Sequence, residues 1–589
     1  MIRLTVLATL AALSAVAAPA LAGDAEIAAF GKLADDFDSW LKQENPIGAG
    51  FEGDEAALAR LPDASQEADA RRLGELKAFK ARVDAIPAEA LGTEDGFDRD
   101  YLAATLDDAL SLASFDEARM PFTNDSGFYS LADYLGQATR IRSVADAEAW
   151  LSRLKALPLY YDQNIANARR GIETGWTQPK LVVGRVIDVA KRQAAVALAD
   201  DPLLAPFANL PATLDAAAIA PIKAAAEKVI AEEIVPRRAA FATFLETEYL
   251  PKARPEIGIS SIPGGKDYYI AVARHHTTTT MTPDAIHALG LSEVARIRAL
   301  MEGVMKEAGF TGTFPEFLAF LRTDKQFYAT SREQLLEKAS EIAKRADDKL
   351  PGLFLTLPRL PYGVRPVPQD QEDGYTTGRY FPGSPDLGIA GGYMINTGKL
   401  DQRPLYELPA LTLHEAVPGH HLQIALSQEL KELRYFRRNG DFTAFVEGWG
   451  LYAEYLGEEM GMYRTPYETF GRLSYEMWRA CRLVADTGIH WKGWDIEEAR
   501  KCFTENTALS EHNIQTELER YISWPGQALA YKIGELKLKE LRARATERLG
   551  AQFDVRRFHD AVLLAGPMPL AMLEARIDSW IADQQANRP

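Results

Sequence analysis

His414-Glu415-Ala416-Val417-Pro418-Gly419-His420-His421, led in by the apolar Leu411-Thr412-Leu413, decides how the rest of the chain is read. Three of the nine histidines in 589 residues fall in these eight positions, beside a glutamate and a Pro-Gly pair. Imidazole and carboxylate groups this dense after an apolar lead point to a divalent metal site. Zinc-binding helices carry two histidines one turn apart with a glutamate between them, and this segment departs from that spacing. On a regular helix, at ~100° and ~1.5 Å per residue, His420 falls on the wrong side of His414. His421 falls on the right side but about 10.5 Å along the axis, too far to share an ion.

Pro418 offers a way out. It has no N–H for the carbonyl of His414, and its ring crowds that carbonyl, so the turn must open. Gly419 accepts the dihedrals that result. The expectation is a two-residue bulge within one helix, 405–433, that brings His420 to the metal beside His414. His421 is then left to packing or to supporting the ligands. The third ligand expected is Glu447, on the next helix. A carboxylate among Phe442, Phe445, Val446, Trp449, Leu451 and Tyr452 is costly to bury unless it is paired or metal-bound. Glu454 shares its face two turns on, as a supporting or solvated acid.

Outward from this block the chain reads as helix. Residues 24–44 place Ile27, Phe30, Leu33, Phe37, Trp40 and Leu41 at helical spacing and stop at Asn45-Pro46. Stretches 54–85, 97–115 and 130–173 repeat that character, and 185–249 is Ala-rich and amphipathic. Residues 258–279, with Tyr268-Tyr269-Ile270-Ala271-Val272 and a threonine run, read as loop and strand. A helix follows with Thr282 as N-cap and Pro283 as its first residue. Between Pro351 and Gly398 the chain is rich in Pro, Gly and aromatics, with Tyr375–Phe381 and Ile389–Asn396 as two antiparallel strands. So long an irregular stretch in a compact domain is usually functional. More helices fill the chain to its end. The fold expected is mainly α, with a small antiparallel sheet beside the site, in two lobes, 23–255 and 256–589.

Composition sets outer bounds. Arg3, the apolar run Leu4–Ala18 and Ala20-Leu21-Ala22 read as a secretory signal cut after Ala22, too short to span a membrane. The expected location is periplasmic or extracellular. The formal charge of −17, without basic clusters, argues against nucleic acid or anionic membrane partners. Cys481 and Cys502 are the two cysteines; the sequence leaves open whether they pair, and two cannot build a zinc cage. There is no Gly-x-Ser-x-Gly elbow and no phosphate-binding loop.

The block from Leu413 to Gln423 resembles the bacterial DUF885 family, which looks like a branch of the gluzincin-type zinc metallopeptidases. Tyr160-Tyr161-Asp162-Gln163, Gly264-Gly265-Lys266-Asp267-Tyr268, Glu447-Gly448-Trp449-Gly450, Asp486-Thr487-Gly488-Ile489-His490 and Pro525-Gly526-Gln527-Ala528 fit the same resemblance. It implies a zincin-like helical fold with a deep active-site cleft, the two lobes forming one continuous domain, with Zn2+ on His414, His420 and Glu447, and hydrolysis of short peptides. On that reading Glu415 is the general base. Tyr531 is the candidate oxyanion donor, as against a core tyrosine satisfied elsewhere. His490, one turn after Asp486, is a second donor or a satisfied helix-end histidine. Arg520 could hold a substrate carboxylate or sit in an ordinary salt bridge. Tyr393 and Asn396, on an edge strand, would meet an extended peptide. His275 and His276 read as structural. The competing class is a secreted peptide-binding protein on a peptidase scaffold, with metal structural or absent.

Overall fold

The computed structural model describes residues 23–208, 210–369, 372 and 375–586, and the statements below concern those residues. The expected signal peptide, 1–22, lies outside them. Several helices begin where a side chain caps them. Ser143 accepts the N–H of Asp146 and opens Val144–Thr174, which Gly175 closes in the left-handed region at φ 75°. Thr282 caps Pro283–Glu307, with Pro283 in its first turn as the sequence indicates. The chain is mainly helical, and no described helix is long and apolar enough to cross a membrane.

The two expected lobes share one hydrophobic core, which runs from Phe30 to Ile581. Phe37 packs edge-on to Phe436 at 5.9 Å, and Tyr101 meets Phe442 at 5.4 Å. Buried Arg437 donates to Asp98 at 2.7 Å and to the carbonyl of Ala565 at 2.6 Å, tying early and late parts of the chain together. A smaller core around Trp150, Leu154, Phe207 and Ile230 belongs to the N-terminal half.

The helix Pro466–Thr487 lies at the centre, buried continuously from Phe470 to Thr487. It runs along Pro283–Glu307, where Gly290 permits close approach: a Cβ there would meet Leu483 Cβ at 2.8 Å. Cys481 is disulfide-bonded to Cys502, joining this helix to Ile496–Asn506 and settling the question the sequence left open.

Three strands, β1 (Tyr362–Pro366), β2 (Gly378–Phe381) and β3 (Gly391–Ile395), form a sheet in the order β1-β3-β2. β2 and β3 are the expected antiparallel pair, with Tyr380 opposite Tyr393. β1 joins β3 in parallel, with Val364 opposite Tyr393, so the sheet is mixed.

Two expectations are corrected. Residues 258–279 are not loop and strand, because Gly265–Thr277 is a helix. Its aromatic and β-branched content suggested a strand, but buried Tyr268, Tyr269, Val272, Ala273 and His276 share one helical face. Tertiary burial overrides the propensity. The continuous helix 405–433 is instead two helices, Leu408–Glu415 and His420–Glu429.

The helices Thr443–Glu459 and Ala530–Leu549 meet glycine to glycine. A Cβ on Gly448 would lie 2.5 Å from Gly534 Cα, and one on Gly534 would lie 1.9 Å from the carbonyl oxygen of Ala444. Gly534→Ala is therefore expected to lower stability by about 1–3 kcal/mol through overpacking. Gly303→Ala, on an exposed helical surface with nothing within 4 Å, is expected to be neutral or stabilising by up to about 1 kcal/mol. Denaturant midpoints of the two variants test this contrast; equal midpoints would contradict it.

Candidate metal centre

The turn between the two histidine helices is built by its own residues. Pro418 follows a cis peptide bond, and the chain turns through Ala416–Gly419 before helix resumes at His420. A Cβ on Gly419 would lie 1.9 Å from the carbonyl oxygen of His414 and 2.4 Å from that of Leu413, so only glycine fits. The expected bulge is thus a complete break. The physical cause is the one the sequence offered: the missing N–H and bulk of Pro418 stop the ladder.

The break brings the expected ligand atoms together. His414 Nε2 and His420 Nε2 each lie 3.4 Å from Glu447 Oε2, and one ligand atom from each residue falls within 4.8 Å of the others. Ligands at about 2.0–2.1 Å from a tetrahedral zinc ion stand about 3.3–3.4 Å from one another. Glu447 Oε2 is buried and accepts no hydrogen bond. A buried carboxylate oxygen with no donor, flanked at that spacing by two imidazole nitrogens, fits a divalent cation. Burial alone would raise the Glu447 pKa, but His420 and His414 hold it well below the usual carboxylate range.

Glu447-Gly448-Trp449-Gly450 carries four separate duties on one helix. Glu447 enters the triad, and Gly448 admits the helix of Tyr531. Trp449 Nε1 donates to the carbonyl of Pro418 at 2.8 Å, holding the turn. Gly450 leaves room for the ring of His414, whose Cε1 would be 2.7 Å from a Cβ there. Two turns past Glu447, buried Glu454 meets His414 Nδ1 at 2.8 Å. That contact orients the ring with Nε2 toward the triad. Burial disfavours the charged imidazole, yet Glu447 and Glu454 outweigh it and push His414 up to about 9.

Glu415 lies beside the triad, with Oε2 accepting the N–H of Tyr380 at 2.7 Å. Burial pushes its carboxyl up, with His414 and His420 pulling against that shift. His421 faces the sheet instead. Its Nδ1 meets the Tyr380 hydroxyl at 2.9 Å, its ring lies 4.6 Å from that of Tyr362, and burial lowers its pKa to about 4.

A cavity of about 270 Å³ opens onto His414, Glu415, His420 and Glu447. Tyr531 lines it, its ring 6.3 Å from and nearly parallel to that of His414. Arg520 lines it as well, with Nη1 on Gln527 and Nη2 on Glu517. The other expected site residues stand elsewhere. Fully buried His490 accepts the N–H of Ile259 at Nδ1 and meets the carbonyl of Tyr521 at Nε2. Both nitrogens are spent on backbone, and Asp486 binds the Tyr269 hydroxyl and the Gly526 N–H rather than His490. Tyr393 and Asn396 are buried because β3 is the central strand, not an edge. Tyr393 reaches Thr412, and the Asn396 amide donates to carbonyls of Glu372, Tyr375 and Thr376. The strand lining the cavity is β2, through Gly378, Arg379 and Tyr380. Arg479 and Arg482 also line it, and the sequence reading passed over them. Their signal was available: arginines three apart in an apolar helix raise the same burial problem as Glu447.

The chain belongs to the DUF885 family, described as a bacterial protein of unknown function, whose model matches residues 46–577. It is similar to "the putative lipoprotein from Colwellia psychrerythraea": 28% identical, TM-score 0.88, over 95% of this chain and 100% of that one. "A putative lipoprotein of unknown function from Shewanella oneidensis" shares the fold at 19% identity and TM-score 0.67, over 93% and 99% of the two chains. No curated protein matches the chain.

The triad predicts about one zinc per chain by elemental analysis. His414→Ala and Glu447→Ala should lose it and His421→Ala should keep it; full occupancy in His420→Ala would move the second ligand elsewhere. A divalent cation at the triad would compete with a proton for His414, so its apparent affinity should rise as pH climbs toward 9, by up to about tenfold per unit. Chelator-competition titrations measure this, and a flat profile between pH 6 and about 8 would refute the competition.

Proposed function

We propose that this protein is an exported, gluzincin-like zinc peptidase that hydrolyses short peptides. The observation that carries the reading is the juxtaposition of His414, His420 and Glu447, all within 4.8 Å, with buried Glu415 in the same cavity. A purely structural site has no need of a carboxylate base among its ligands. A divalent cation held by these three residues would lower the pKa of water and polarise a carbonyl.

The chain's own groups supply the rest. Glu415, anchored by the Tyr380 N–H and raised by burial, takes a proton from the attacking water and delivers it to the leaving nitrogen. Tyr531 donates its hydroxyl to the carbonyl oxygen as negative charge develops there. β2, paired only with β3, lines the cavity as an edge strand along which an extended peptide can lie. Glu454 keeps His414 in one orientation. Export is supported by the N-terminal sequence pattern, by the Cys481–Cys502 disulfide and by relatives described as lipoproteins.

Glu415→Gln is expected to retain zinc while lowering turnover of a mixed peptide pool about 10²–10⁴-fold. Tyr531→Phe should lower kcat about 10²-fold with KM little changed. Mass spectrometry of the products together with metal analysis checks both. Parental rates in Glu415→Gln would sink the mechanism.

A further inference from the structure

The cavity that holds the triad is also lined by Arg379, Arg479, Arg482 and Arg520. Arg379 is matched by Asp125 at 3.0 Å, and Arg479 by Glu454, which already serves His414. Arg482 and Arg520 share a single carboxylate, Glu517, at 2.9 and 3.1 Å. Two guanidiniums on one carboxylate leave a buried excess of positive charge. Arg482 is 3% exposed; its Nε donates to the Tyr521 hydroxyl and its Nη2 to Glu517, while its Nη1 has no partner. Arg520 Nε is likewise unpartnered. A buried guanidinium short of acceptors, lining a cavity, is suited to an anion and above all to a planar carboxylate. The Arg482 guanidinium is held by its bonds to Tyr521 and Glu517, and its Cζ lies 4.3 Å from the ring centre of Tyr531.

The neighbouring cavity has the opposite character. At about 460 Å³, it meets the first at Glu447, Trp524 and Gln527. Glu117, Asp441, His275 and His276 line it, and no lysine or arginine does. The Tyr268 hydroxyl donates to Glu117 at 2.7 Å. A substrate carboxylate finds guanidiniums on the arginine side and none on the other.

We propose, building on the peptidase reading, that Arg482 with Arg520 binds the free α-carboxylate of the substrate, making the protein a carboxyl-terminal exopeptidase. The larger acidic cavity then receives the part of the peptide toward its amino terminus. A cavity of about 270 Å³ is roughly 8 Å across, the reach of about two extended residues, so one amino acid or a dipeptide is released per cycle. Water supplies the hydroxyl to the carbonyl carbon and the proton to the leaving nitrogen as the C–N bond breaks, and no co-reactant is needed.

The test compares peptides with free and amidated carboxyl ends. With the zinc-loaded protein, amidation should lower kcat/KM about 100-fold, and products should be single residues or dipeptides from the carboxyl end. In Arg482→Met the preference for the free acid should disappear. Equal rates for acid and amide, or cleavage at internal bonds, would overturn the assignment and leave the peptidase reading standing. If no peptide is hydrolysed, the peptidase reading falls, and calorimetry on the metal-stripped protein judges the carboxylate site alone. There glycyl-phenylalanine should bind at least about tenfold tighter than its amide, consistent with a charge-assisted contact, and equal affinity sinks the proposal. Because acid and amide are compared on the unsubstituted protein, a misfolded Arg482→Met does not decide the outcome.

Discussion

His414 is held at Nδ1 by Glu454 and faces Glu447 at Nε2, two glutamates seven residues apart on one helix, and much of the interior follows from that placement. Glu454 is fully buried and Glu447 is half-buried at the cavity, and a buried carboxylate must be paired or bonded. Arg479 answers Glu454 from the central helix. That helix presents Arg472, Glu476, Arg479, Arg482 and Asp486 at helical intervals, each met by a partner from another part of the chain or from its own next turn. Arg472 meets Glu476 and Glu458; Glu476 meets Lys532, which also holds Glu293 and Glu535. Arg482 reaches Glu517. The polar stripe requires its neighbours to stand where they do, and it carries the order of the triad into the cavity wall.

The parts legible in the sequence were those set by local chemistry. Thr282 and Pro283 start a helix because one caps and the other cannot donate, and both act as read. Glu447 stands out because a carboxylate in an aromatic segment needs a reason, and Glu454 only because it shares that helical face. Pro418 foretold that the helix must open; how far it opened depended on Gly419 closing against the carbonyls of Leu413 and His414, a contact that spacing alone does not give. The misses share a cause. Tyr268–Val272 looked like a strand until burial chose its helical face. Tyr393 and Asn396 looked like an edge until β1, an unexpected third strand, paired with the far side of β3. His490 was matched to Asp486 by sequence interval, while the fold supplied it with backbone from Ile259 and Tyr521. The DUF885 membership bears out the resemblance of the histidine block, the fold shared with two solved structures matches the chain's architecture, and the chemistry of the site is left to its own geometry.

The triad and the cavity differ in how much of the chain they need. All three triad positions, and Glu454 behind them, come from two neighbouring stretches separated by about two dozen residues. The cavity wall draws on Asp125 and Ser126 from the N-terminal half, on β2, and on helices near the end of the chain. Closing a longer loop of chain costs more entropy. The consequence is an expected difference in cost: the histidine turn and the Glu447 helix meet across a short loop, whereas the chamber around them closes only when the first and last thirds of the chain have docked. A chain with only the short loop closed would carry its ligand set without any enclosure to select what approaches it.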